Sequence, residues 1–252
     1  MIPLKDDIPT RRFPVLTVLI IVACVAVYFG FEQGGLTLGS TGDERVVEYG
    51  AVPYEISHPG EQCELTQPNR CGDSTESQAP TWLTLFTSMF MHGGLLHLGG
   101  NMLFLWIFGN NVEDSMGRPR FVAFYLLGGL AALGAQTAID PSSTAPTVGA
   151  SGAIAAVLGG YALLYPKARV ITLIFIIIFF TIVELPALIV LGLWFVIQVL
   201  YGAAELGQPL GGSGGVAYFA HIGGFVFGLA LIKLFADRAQ RDYEDERKIP
   251  VY

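Results

Sequence analysis

Residues 148–165 read VGASGAIAAVLGGYALLY. The stretch carries no charge, is made mostly of small and apolar residues, and has a single serine near its start. An uncharged, mostly apolar run of ~20 residues reads as a membrane-crossing helix. Pro146 and Thr147 precede it, which places Ser151 in the first turn of that helix. A helix start has unpaired backbone N–H groups and a partial positive charge. A hydroxyl there is well placed to become an acyl ester, with donors nearby for an oxyanion. The competing reading of Gly149-Ala150-Ser151-Gly152 is a close-packing patch, since small residues are common where membrane helices meet.

The rest of the chain agrees with a membrane environment. Of its 252 residues, 52% are hydrophobic and only 14% are charged, against about 25% charged in a soluble domain. Apolar runs occur at 15–29, 83–108, 121–138, 148–165, 170–201 and 216–235. The first has a basic flank but no small-x-small cleavage site close behind it, so a retained helix is expected rather than a signal peptide. The block 170–201 is too long for one straight crossing. Glu184-Leu185-Pro186 interrupts it, because proline disfavours helix at the residue before it and a mid-bilayer carboxylate is costly. The reading is therefore a crossing at 186–201, preceded by an interfacial, re-entrant or tilted segment at 170–183.

Basic residues set the orientation. With a cytoplasmic N-terminus and alternating spans, Lys5, Arg11, Arg12, Arg118, Arg120, Lys167, Arg169, Lys233, Arg238, Arg241, Arg247 and Lys248 lie on the cytoplasmic side, and only Arg45 and Arg70 lie outside. Such asymmetry is the positive-inside pattern. The predicted architecture is an all-α membrane protein with six transmembrane helices. It has a cytoplasmic N-terminus (1–14), a membrane domain (15–235) and a charged cytoplasmic tail (236–252). The long first loop is extracytoplasmic and holds Cys63 and Cys71, which leaves open a disulfide or two free thiols. The sequence holds no internal repeat, no low-complexity tract and no nucleic-acid-binding motif.

The chemistry is expected where polar residues are expensive. His221, in Ala220-His221-Ile222-Gly223-Gly224, stands near the outer end of the last span. An ionisable residue in a span is a functional candidate by default; the alternative is a histidine reaching for the interface. Ser151, Ala155 and Gly159 form a small-residue stripe on the fourth span, and Gly224 and Gly228 form another on the sixth. Such stripes let helix backbones approach closely. Ser151 and His221, at matched depth on the same side, would form a nucleophile–base pair. No carboxylate recommends itself as a third member. In the second span His97 and Asn101 stand four apart, on one helix face, and both are suitable oxyanion donors. A zinc site is the weaker reading, because asparagine is a poor ligand and no glutamate stands beside the first histidine. His92 falls off that face and reads as a loop or helix-start residue with a structural hydrogen bond.

In combination these motifs resemble the rhomboid family. The order is His92-x4-His97-x3-Asn101, then Gly149-Ala150-Ser151-Gly152, then Ala220-His221-Ile222-Gly223-Gly224. Glu113-Asp114-x2-Gly117-Arg118-Pro119-Arg120-Phe121 and Tyr49-Gly50-Ala51-Val52-Pro53 resemble it too. The similarity covers about residues 12–235. The resemblance implies a six-helix core, no cofactor, and cleavage of other membrane proteins in or near their transmembrane segments. It implies Ser151 as nucleophile and His221 as base. Asn101, His97 and the Ser151 backbone N–H would stabilise the oxyanion, and His92 would be structural. One departure stands out. Some rhomboids carry an aromatic residue four after the serine to support the histidine, and here that position is Ala155. The sequence does not say what orients His221 instead. Two other readings stay open: an inactive rhomboid relative that binds membrane clients, and a small transporter lined by residues such as Glu184 and Gln198. Substrate identity and oligomeric state are not legible.

Overall fold

The computed structural model describes residues 1–33, 44–64, 71–72, 79–176, 179–206 and 216–237. Most of the first loop's tip, Arg70 and tail residues 238–252 lie outside the described residues. The chain is mostly helical. Among the described residues three helices are long and apolar enough to cross a membrane: α7 (Arg118–Ile139), α9 (Ala187–Glu205) and α10 (Tyr218–Phe235). Two shorter apolar helices accompany them, α1 (Val15–Ala26, continued by a π-helical turn Val27–Phe31) and α8 (Ser151–Leu164).

Helix α8 is the axis of the molecule. Nearly all of its side chains are buried, as expected for a helix that is apolar all round rather than on one stripe. It packs against α10 and α7, and more lightly against α9 and the helix Leu95–Phe104. Its contact with α10 is close because glycines meet backbone. A methyl group on Gly228 would lie 2.8 Å from the Ala156 carbonyl carbon and 2.9 Å from Gly160 N. One on Gly224 would lie 3.2 Å from both Gly152 C and the Ala155 side chain.

The stretch 83–108, expected as one span, is broken. Helix α4 (Thr81–Thr87) ends, residues 88–94 turn, and α5 (Leu95–Phe104) restarts, continuing through a π-helical segment (Leu105–Gly109) into α6 (Asn110–Met116). The paired glycines Gly93-Gly94 sit at the restart, where helix propensity is lowest. Two short helices, α2 (Glu44–Tyr49) and α3 (Pro53–Ser57), lie in the first loop. Two short strands, β2 (Gln62–Cys63) and β3 (Cys71–Gly72), pair there, and Cys63 and Cys71 are disulfide-bonded.

The chain is not all-helical. Residues 170–183, expected as an interfacial, re-entrant or tilted segment, belong to a β-hairpin, β4 (Arg169–Ile176) and β5 (Phe179–Pro186). Its register runs from Arg169 opposite Pro186 to Ile176 opposite Phe179. The N-terminal strand β1 (Ile2–Asp6) completes an antiparallel sheet in the order β1-β4-β5, with Ile2 opposite Leu173 and Asp6 opposite Val170. The physical reason lies in the side chains. VITLIFIIIFFTIV is dominated by β-branched and aromatic residues, which fit a pleated surface better than a helix. Pro186 closes the hairpin, and α9 starts at the next residue.

Buried polar contacts tie the ends of this framework together. The Glu113 carboxylate accepts the Leu16 and Thr17 N–H groups at 3.1 and 2.8 Å and so caps α1. The Asp6 carboxylate is buried where Tyr161 O–H reaches it at 2.7 Å and the Asn111 side-chain amide also donates to it. Tyr165 O–H donates to the Asn111 carbonyl at 3.1 Å. Three segments far apart in sequence are thus joined under α8.

Candidate active site

Ser151 is the first residue of α8. The turn before it depends on Gly149, whose φ of 123° few side-chain-bearing residues adopt. There is no room there either: a methyl group on Gly149 would come within 2.7 Å of His97 Nε2 and 3.5 Å of Asn101 Nδ2. The Gly149 N–H donates to the Ser88 carbonyl at 2.8 Å, fixing the turn to the break between α4 and α5. Gly152 faces Ala132 of α7 and the backbone of α10, where a side chain would again be excluded. His97 and Asn101 of α5 therefore stand directly against the start of α8.

His221, in the first turn of α10, brings its Nε2 to 2.8 Å from Ser151 Oγ. Its other ring nitrogen, Nδ1, lies 2.8 Å from Gln198 Oε1 of α9. Trp194, one turn earlier on α9, tilts its ring over the imidazole at a centroid distance of 5.7 Å. The Ala220 N–H is held at 3.1 Å by Gln136 Oε1 of α7. The Ser151–His221 pair thus lies among α5, α7, α8, α9 and α10, and His221, Asn101 and Gln198 are all buried.

Asn101 Nδ2 is buried without a hydrogen-bond partner among the described residues. Buried donors are nearly always paired, so a lone one at such a place asks for an explanation. His92 sits in the turn before α5, fully buried. Its N–H faces the Glu32 carboxylate at 3.1 and 3.2 Å, its Nδ1 lies 3.3 Å from the Phe90 carbonyl, and its ring meets that of His97 edge to face. These contacts anchor the turn before α5 to the end of the first helix. Among the described residues no three His, Cys, Asp or Glu side chains converge as a metal site would require.

Ser151 and His221 meet, while His97, Asn101 and Gly149 adjoin the start of α8. Gln198 was legible only as a polar residue in an apolar span, and Gln136 and Glu32 were missed. The signal for all three was the same: a polar side chain in or beside apolar sequence, whose partner is named only by the fold.

A family model of the rhomboid domain matches residues 79–238, which include all of these residues except Glu32. The chain belongs to the rhomboid family. It is similar to Rhomboid protease GluP of Bacillus subtilis (strain 168), with 34% identity over 152 residues, covering 60% of this chain and 24% of that protein. It is similar to Rhomboid protein 1, mitochondrial, of Saccharomyces cerevisiae, with 30% identity over 153 residues, covering 58% of this chain and 40% of that protein. The corresponding figures for Presenilin-associated rhomboid-like protein A, mitochondrial, of Danio rerio are 30% over 142 residues, 54% and 37%. The chain thus spans well under half the length of each of these curated relatives. The rhomboid assignment and the apolar helices together make this a membrane protein of mostly helical fold.

Proposed function

We propose that this rhomboid is an intramembrane serine protease, hydrolysing peptide bonds in or near the transmembrane helices of other membrane proteins. The observation that supports this best is the 2.8 Å contact between His221 Nε2 and Ser151 Oγ, the geometry a nucleophile and its base require. In this reading His221 takes the Ser151 proton as the oxygen attacks the substrate carbonyl. Asn101 Nδ2, His97 and the Ser151 backbone N–H hold the oxyanion. The protonated His221 then gives its proton to the leaving amine, and water hydrolyses the ester with the same base. Gly149 and Gly152 keep the space that this approach needs, and His92 is structural.

The membrane arrangement belongs to the same proposal. Residues 1–14 and 236–252 are cytoplasmic, and 15–235 make six crossings at about 15–29, 83–108, 121–138, 148–165, 186–201 and 216–235. The site opens to the extracytoplasmic side. Helix α8 has 14 residues, about 21 Å against a ~30 Å hydrocarbon core. Ser151 at its start is then sunk below the outer surface, reached by water from outside. A substrate helix must unwind locally before its carbonyl is free, so glycine or proline near the scissile bond favours cleavage. The first loop serves as a cap and α9 as a lateral gate; an α9–α5 crosslink that leaves turnover of helical substrates unchanged would remove the gate from this scheme.

The test is cleavage of a transmembrane substrate by purified, reconstituted protein. Wild type should cleave, and Ser151→Ala should not. Labelling of Ser151 by a fluorophosphonate should require His221. Absence of both cleavage and labelling in wild type, across several substrates, would favour a client-binding role without hydrolysis.

A further inference from the structure

The dyad carries no aromatic support from position 155, which is alanine, so another group must set the His221 ring. We propose that Gln198 is that group: a positioning residue on α9 that fixes the tautomer and the plane of the base. The inference rests on the protease reading above, and it adds a third member to the dyad from α9, the helix that also places the Trp194 ring beside the imidazole.

The hydrogen-bond directions leave one solution. Gln198 Nε2 lies 3.2 Å from the Trp194 carbonyl oxygen, one turn back on the same helix. A carbonyl can only accept, so the amide nitrogen must face it, and the amide oxygen is left to face His221 Nδ1 at 2.8 Å. An amide oxygen also can only accept, so Nδ1 carries the hydrogen. A neutral imidazole has one N–H, which leaves Nε2 bare. Bare Nε2 is the nitrogen that faces Ser151 Oγ. The chain of bonds from the α9 backbone to the serine hydroxyl therefore prepares the base in its accepting form. Once His221 is protonated, the same oxygen still accepts from Nδ1 and keeps the imidazolium in place for proton delivery. Gln198 is itself buried, so water does not readily replace it. Trp194 adds a ring wall on one side but no hydrogen bond to the imidazole.

The test compares Gln198→Leu, which keeps bulk but removes the acceptor, with Gln198→Glu, which keeps an acceptor oxygen in place. For Gln198→Leu, kcat should fall by about 10–100-fold, part of the ~10²–10⁴ a positioned general base contributes. KM and the thermal midpoint should change little. Gln198→Glu should recover most of the loss. A Gln198→Leu variant with wild-type kcat, or one whose kcat loss simply tracks a lowered midpoint, would overturn the proposal. A second readout needs no activity at all. In protein labelled with nitrogen-15 at its four histidines, with His221 assigned through His221→Gln, the wild-type imidazole should show hydrogen on Nδ1 and a bare Nε2. Gln198→Leu should shift it toward a mixture of tautomers. Hydrogen on Nε2 in the wild type would overturn the role of Gln198 even if the protein cleaves. The expected tautomer in a protein that cleaves nothing would instead count against the protease reading alone.

Discussion

The Glu113 carboxylate takes both the N–H and the O–H hydrogen of Thr17, each at 2.8 Å, across 96 residues of chain. One acidic side chain thus fixes where α1 starts relative to α6. Removing it leaves a buried hydroxyl and the orphan amides of a helix start without a partner. We expect Glu113→Ala to lower stability by about 1–3 kcal/mol, read as a lower melting midpoint in detergent. Glu113→Gln, which keeps one acceptor, should cost less.

The α8–α10 contact admits no added atom at Gly228, where a methyl group would lie 2.8 Å from the Ala156 carbonyl carbon. Gly228→Ala should therefore push the two helices apart and cost about 1–3 kcal/mol by overpacking. It should also reduce cleavage, since Ser151 and His221 ride on those helices. Gly134→Ala, where nothing among the described residues lies within 4 Å of the added methyl group, is the control and should leave both properties near wild type.

If the unpaired Asn101 Nδ2 is kept for the oxyanion, its loss should appear in the chemical step. Asn101→Ala should reduce kcat by ~10²–10³ with little change in KM. A change confined to KM would mean that Asn101 binds substrate rather than the transition state.

The Asp6 side chain is outside the crossing helices, and burial pushes its carboxyl up to about 7 from an ordinary 3.8, against the pull of the Tyr161 hydrogen bond. The folded state then holds a proton that the unfolded chain has already released. By linkage, docking of β1 is strongest below about pH 4, weakens as pH rises to about 7, and levels off above that. Hydrogen exchange of the β1 amides, corrected for the intrinsic rate, should show protection falling across that window. Asp6→Asn should flatten the dependence.

The disulfide between Cys63 and Cys71 spans a separation of 8 residues and contributes about 2–3 kcal/mol to folding stability by the chain-entropy account, by constraining the unfolded chain. On intact cells an impermeant maleimide should label neither cysteine before reduction and both after it. Labelling that requires permeabilised cells would reverse the proposed orientation. Cys24 is buried and should stay unlabelled in the folded protein.

Much of the site was legible because polar residues in apolar sequence are rare enough to stand out. Ser151, His221, His97 and Asn101 were named from that contrast and from helical spacing, and the fold brings them to one place. Gln198 shared the same signal, but its meaning required knowing that α9 lies beside α10, which no local pattern states. The hairpin was illegible for a different reason. Residues 170–183 are apolar without alternation, and a run of that kind is helix or strand by periodicity alone. Its β-branched content favours strands, but the reading as an interfacial, re-entrant or tilted membrane segment left strands unconsidered. The break at 88–94 was half visible: His92 read as a loop or helix-start residue, yet the apolar run around it still looked like one span.

The pairing of Ile2 with Leu173 sets an order of events during synthesis. The first strand leaves the ribosome long before its neighbour exists. At 5–20 residues per second that wait is roughly 10–30 s, and within it every helix from α1 to α8 is made. The sheet cannot zip until β4 has emerged on the same side of the membrane as β1. Its closure is therefore a late event: under the proposed six crossings, a nascent chain with one helix threaded the wrong way would leave its first strand with nothing to join.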